Sequence, residues 1–161
     1  MTNQSRSIKN LQQALAMELT ATHQYLLHAH VLEDWGLETL SAKMREEMQE
    51  ELGHAGNFID RILFLDGDPK VSEKKPAVRA ETLKELFEAD LKDEKEAITF
   101  YTEAANAARE DDDVGTHAMF SRIVMDEEGH MDWLKQQLDL IKRISESSYI
   151  AQHMTLKPSG G

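Results

Sequence analysis

The sequence predicts an all-α chain: a four-helix bundle with one long crossover and a short fifth helix at the C-terminal end. Three observations predict it. Proline occurs only at Pro69, Pro76 and Pro158, so residues 1–68 and 77–157 hold no residue that breaks a helix from within. Ala, Leu, Glu, Lys, Met and Gln dominate those stretches, and their side chains lose little freedom in a helix. Apolar residues recur with helical period in four long segments.

The first helix is expected over about residues 5–35. Ile8, Leu11, Leu15, Leu19, Leu26 and Ala29 form its apolar stripe, with Thr22 or Tyr25 between, and Gly36 suits a left-handed C-terminal cap. The second runs over about 38–65, with Leu40, Met44, Met48, Ala55, Phe58, Ile62 and Leu65 on one face. Asp66-Gly67-Asp68-Pro69 ends it, with Gly67 expected to close the helix and Pro69 unable to continue it. Residues 66–81 are polar, contain two prolines and read as an extended crossover. Thr82-Leu83-Lys84-Glu85 has capping-box spacing and opens a third helix over about 82–110. Asp111-Asp112-Asp113 marks a turn and supplies an N-cap for a fourth, over 114–144. A short fifth helix is expected over 146–154 and a loose tail over 157–161. Two short links and one long one arrange the helices as two antiparallel hairpins joined by a crossover, a single domain over residues 1–161.

Composition limits the function. Thirty acidic against eighteen basic residues give a formal net charge of −12, which repels phosphate backbones and makes nucleic acid an unsuitable partner. The same charge attracts cations. With no cysteine, disulfides, thiol catalysis, zinc ribbons and iron–sulfur clusters are excluded, so a metal must be held by His, Asp, Glu or backbone oxygen. No stretch approaches the ~20 apolar residues of a membrane span, and the N-terminus has no apolar signal core. A cytoplasmic protein without a membrane partner is the expectation.

Against this pattern, six polar residues sit where the stripes call for Leu. They are Glu18 in the first helix, Glu51 and His54 in the second, Glu94 in the third, and Glu127 and His130 in the fourth. Residues three apart on a helix are neighbours, so each Glu-x-x-His pair points at one spot. The set repeats: Glu18, Glu51 and His54 recur 76 residues later as Glu94, Glu127 and His130. Tyr25 and Tyr101 keep the same offset, each seven residues after its Glu. A single Glu-x-x-His among thirty acids carries almost no information. A doubled set in a bundle of two hairpins places the same three ligands twice at one centre. Four buried carboxylates without counter-charge are very costly, and two divalent cations cancel them. Carboxylate with imidazole suits iron or manganese.

Along about residues 8–154 the chain resembles the bacterioferritins. The resemblance rests on Glu18 with Gln24-Tyr25, Asp34-Trp35-Gly36, Glu51 with His54-Ala55, Arg61-Ile62-Leu63-Phe64-Leu65, Glu94, and Asp126-Glu127-Glu128-Gly129-His130. It implies a ferritin-like four-helix bundle and a ferroxidase. Glu18 and His54 would hold one iron, Glu94 and His130 the other, and Glu51 and Glu127 would bridge them. Fe²⁺ would be oxidised by O₂ or peroxide and stored as a ferric mineral in a hollow 24-subunit shell. Tyr25 is expected beside the site as a hydrogen-bond partner of a ligand or as a core aromatic, and Tyr101 likewise. Two departures stand out. The family's haem-ligating Met position, next after Glu51, is Leu52 here, so haem b is not expected from this chain alone. The shell is then either a haem-free homopolymer or one mixed with a haem-binding paralogue, and Met44 and Met48 are read as packing. Where the family often places His and Asp on the inner surface, this chain has Glu46 and Glu50, read either as cavity-facing iron ligands or as a solvated acidic face. Gly53, Gly56 and Gly129 suggest close helix contact near the metals. His23, His28, His30, His117 and His153 have no repeat partners and are read as surface or interface residues. A rubrerythrin-like di-iron peroxidase shares the ligand set but usually adds a Cys₄ domain, and a metal-free structural bundle would leave the buried Glu residues unpaired.

Overall fold

In the computed structural model, which describes residues 3–156, five helices run in order. They are α1 (Asn3–Asp34), α2 (Glu38–Phe64), α3 (Leu83–Glu110), α4 (Val114–Ile144) and α5 (Glu146–His153). The expected tail at 157–161 lies outside the described residues. α1 packs along α2 and α3 along α4, and α1 lies against α3 where the two hairpins meet. No helix among the described residues is long and apolar enough to cross a membrane.

The helix ends follow local chemistry. Gly36 has φ +80° and closes α1 as expected. At the end of α2 the left-handed residue is Asp66 (φ 58°), in place of the expected Gly67. Asp tolerates that conformation, and Gly67 is needed for another reason. A Cβ on it would stand 2.8 Å from Ile62 Cγ2 and 3.1 Å from the Ile62 carbonyl oxygen. Thr82 Oγ1 accepts from the Glu85 amide at 3.1 Å, but the Glu85 carboxylate in return accepts from the Glu81 amide (3.2 Å), one residue before the cap. In the Asp111–Asp113 turn, Asp112 is left-handed (φ 57°) and Asp113 is the N-cap, accepting from the Thr116 amide at 3.1 Å.

The crossover lies along α1 and is pinned by three of its side chains. Gln12 donates to the Lys70 carbonyl and accepts from the Lys70 amide, both at 2.7 Å. Gln24 does the same at Val78 (2.9 and 3.0 Å), and Thr20 Oγ1 accepts from the Lys74 amide at 2.8 Å. These bonds supply partners to an extended backbone that has no ladder of its own.

Two apolar clusters fill the bundle. One holds Leu11, Leu15, Phe58, Ile62, Phe120 and Ile123, and the other holds Leu32, Met44, Leu86, Phe87, Leu134 and Tyr149. Along every long helix, the candidate ligands fall between these clusters, at a polar waist near mid-length. Met44 is fully buried and Met48 packs against the second cluster, as expected of packing residues. Gly53, Gly56 and Gly129 do not mark close helix contact, because a Cβ on any of them meets nothing within 4 Å.

Candidate metal centre

The waist assembles from six residues of four helices. α1 supplies Glu18, α2 supplies Glu51 and His54, α3 supplies Glu94, and α4 supplies Glu127 and His130, all buried. They form two overlapping clusters, Glu18–Glu51–His54–Glu127 and Glu51–Glu94–Glu127–His130, with ligand atoms in each within 4.8 Å of one another. Glu51 and Glu127 belong to both. The 76-residue repeat is therefore a pseudo-twofold relation in space.

Both imidazoles point Nδ1 into the centre. His54 Nδ1 lies 3.0 Å from Glu127, 3.6 Å from Glu51 and 3.7 Å from Glu18. His130 Nδ1 lies 2.9 Å from Glu51, 3.5 Å from Glu94 and 3.7 Å from Glu127. The Nε2 atoms face outward to carboxylates of the opposite hairpin. His54 Nε2 meets Asp126 at 3.0 Å, and His130 Nε2 meets Glu50 at 2.9 Å and Glu47 at 2.5 Å. Such partners fix a ligating imidazole's tautomer and ring plane. The tyrosines cross over as well: Tyr25 donates to Glu94 Oε1, and Tyr101 donates to Glu18 Oε1 at 2.5 Å. Both tyrosines are thus hydrogen-bond partners of candidate ligands.

Without a cation the centre balances its charge with protons. Burial raises the Glu18 carboxyl well above the usual range, and the Glu51 charge adds to it. Burial and the Glu127 charge do the same to Glu94. Burial alone would lower the basicity of His54 and His130, but the carboxylates crowded around them, Glu127 first, outweigh it and hold both rings as imidazolium. Even so, Glu18 Oε2, Glu51 Oε1, Glu94 Oε2, Glu127 Oε1 and both Nδ1 atoms are buried with no hydrogen-bond partner. Orphaned buried donors and acceptors are rare in folded proteins. Here they converge from six residues on two points, with the oxygen and nitrogen donors that suit Fe²⁺ or Mn²⁺, and an iron pair fits them.

Other expectations divide. Glu50 stands at the centre's edge on His130, and it also groups with His54 and Asp126. The Glu46 side chain is 72% exposed, is 3.9 Å from Lys43 and belongs to none of the metal-capable groups among the described residues. His28 is no surface residue: it is fully buried, with Nδ1 3.0 Å from Asp90 and Nε2 2.8 Å from Gln24. Glu47, Asp90 and the outward role of Asp126 were not anticipated. Asp126 had a legible signal, since it lies 76 residues after Glu50.

The ferritin-like domain profile matches residues 8–144. The chain is 40% identical over 149 residues to the bacterioferritin of Brucella melitensis biotype 1, covering 92% of each protein. It is 39% identical to that of Rhodobacter capsulatus, again over 92% of each. The chain belongs to the bacterioferritin family. The 2.6 Å structure of Rhodobacter capsulatus bacterioferritin, with a metal-free dinuclear site and a haem iron in a crystallographic special position, superposes with a TM-score of 0.93. The match spans 97% of this chain and 98% of that one at 36% identity. The bacterioferritin fold is thus that of its relatives, whereas a Cys₄-bearing peroxidase is not favoured.

Proposed function

We propose that this chain is the ferroxidase subunit of an iron-storing bacterioferritin, assembled in the cytoplasm as a hollow shell of twenty-four copies. The observation that carries this is the set of six buried, hydrogen-bond-orphaned ligand atoms at the waist. Glu18 and His54 hold one iron, Glu94 and His130 the other, and Glu51 and Glu127 lie between. Two Fe²⁺ bound as substrate give up one electron each, reducing O₂ with two protons to H₂O₂, or H₂O₂ with two protons to two water molecules. The chain's own residues set this up. The four carboxylates neutralise two divalent cations, Asp126 and Glu50 aim the imidazoles, and Tyr25 and Tyr101 fix one oxygen each of Glu94 and Glu18.

Apolar residues left exposed on the isolated chain, Leu26, Leu52, Leu63 and Phe64 among them, suit burial between subunits. Leu52 offers no atom to a haem iron, so this chain brings no axial ligand of the family's kind to such an interface. Twenty-four chains of 18.3 kDa make a particle of about 440 kDa.

Anaerobic Fe²⁺ titration followed by air tests the reading. Saturation near two Fe²⁺ per chain and a rapid ferric absorbance rise are expected. Glu18→Ala or Glu94→Ala should slow oxidation by about tenfold or more while the particle keeps its size. Unchanged oxidation in both variants would remove the site assignment.

A further inference from the structure

The waist opens outward through one cavity of about 120 Å³ between α1 and α3, under the crossover. Its floor includes Glu18, Glu94 and Glu127, so it leads straight to the ligand atoms. Its mouth is not simply acidic. The crossover lays Lys74 and Lys75 across it, beside Asp93 and Glu96 of α3. Lys75 Nζ is bonded to Asp93 Oδ1 at 2.9 Å, bridging the crossover to α3 over the opening. This lysine cannot drift far: the Lys74 and Lys75 amides both point at Thr20 Oγ1 (2.8 and 3.4 Å), and Pro76 restricts the backbone of Lys75.

We propose that the Lys75–Asp93 pair is a cation latch, which sets how fast a divalent ion reaches the metal centre from outside. This rests on the ferroxidase reading above. An acidic residue at the mouth of a negatively charged cavity would collect hydrated divalent cations and raise their local concentration. Lys75 occupies that carboxylate and places a positive charge in the entry path. A divalent ion must displace the ammonium from Asp93 before it passes, whereas neutral O₂ and H₂O₂ meet no such barrier. Asp93 therefore acts in two ways, as the landing point for the ion and as the anchor to which Lys75 returns once the ion has passed. The Lys75 side chain is 52% exposed, so water can take the place of Asp93 when the pair parts. An exposed ion pair ordinarily adds little to stability, which leaves its position over the cavity as its distinguishing property.

Stopped-flow binding of Co²⁺ to the metal-free assembled protein, read by the cobalt absorbance without oxygen or turnover, tests the latch. Lys75→Met should load about three- to tenfold faster than the parent, and Lys75→Arg should stay near the parent rate. Asp93→Asn should load about threefold slower or worse, because Lys75 then stands unpaired over the mouth. Raising the salt should draw the four rates together, as expected of charges that act through solvent. Equilibrium titration keeps the two levels separate. Two Co²⁺ per chain in all four proteins with equal loading rates overturns the latch and leaves the metal centre standing. A parent protein that binds no Co²⁺ overturns both.

Discussion

His54 and His130 hold equivalent places in the repeat, yet their outer nitrogens are not equally supported. His130 Nε2 has two carboxylates within 3 Å, Glu50 and Glu47, while among the described residues His54 Nε2 pairs that closely with Asp126 only. Position 123, where the repeat would place a counterpart of Glu47, is Ile123 in the apolar cluster. Removing an imidazole's outer partner typically costs ten- to a hundredfold in metal affinity. Asp126→Ala should therefore weaken one of the two Co²⁺ sites by about that factor, and Glu50→Ala should have the smaller effect because Glu47 remains. Isothermal titration with Co²⁺ separates the cases, and equal losses in both variants would show that Glu47 gives no support. The same asymmetry explains what could be read at this scale. The six candidate ligands repeat at one offset and interrupt apolar stripes, so the sequence exposes them twice over. His28 and Asp90 form a buried pair 62 residues apart, and their repeat positions are Ala104 and Ala14. With nothing to double them, they looked like any polar residue near a helix edge.

Helix boundaries were legible to within a residue or two because proline, glycine and capping residues act locally. What local chemistry does not reveal is which residue of a turn takes which part. In Asp66-Gly67 the acid adopts the left-handed conformation and the glycine admits Ile62. In Asp111–Asp113 the cap is the third acid, Asp113, which also accepts from the Arg61 guanidinium of α2 at 2.6 Å. Asp113 thereby ties the two hairpins together. Gly115 leaves the space for that guanidinium, which a Cβ would approach to 2.5 Å. Burial disfavours the Asp113 carboxylate, but hydrogen bonds from Thr116 and the Arg61 guanidinium hold its pKa below the ordinary value. A group with a depressed folded pKa stabilises the fold above its unfolded value, near 4, and that contribution disappears as pH falls through the folded pKa. Asp113→Asn keeps a good N-cap but cannot titrate. Its melting temperature should start lower than the parent's at pH 6 and fall less between pH 5 and pH 3. Parallel curves for the two proteins would exclude a linked role for Asp113.

At the scale of the whole molecule, the bundle consists of two apolar clusters joined by a waist of buried carboxylates and imidazoles. The connectivity was legible because only one link is long. The crossover's path along α1 was not, since Gln12, Thr20 and Gln24 reveal themselves as backbone clamps only when the strap lies beside them. The waist was legible as a conflict, a row of acids where packing asks for Leu, and sites of that kind are where function overrides stability. The conflict has a thermodynamic consequence. Burial raises the Glu18 and Glu94 pKa values, so at pH 7 each carboxyl lowers the stability of the metal-free chain, and a neutral isostere removes that loss. Gln at either position still offers an oxygen to Tyr101 or Tyr25. Glu18→Gln and Glu94→Gln should therefore melt at or above the metal-free parent. Metal reverses the order. A ligand at a hundred times its Kd stabilises the folded state by about 2.7 kcal/mol, worth roughly 5–10 °C for a domain of this size. The parent should gain that much with Co²⁺ and the variants much less, so the melting curves should cross on loading. If either variant melts below the metal-free parent at pH 7, its carboxylate contributes to the empty fold, and the waist is not a site held open at the expense of stability.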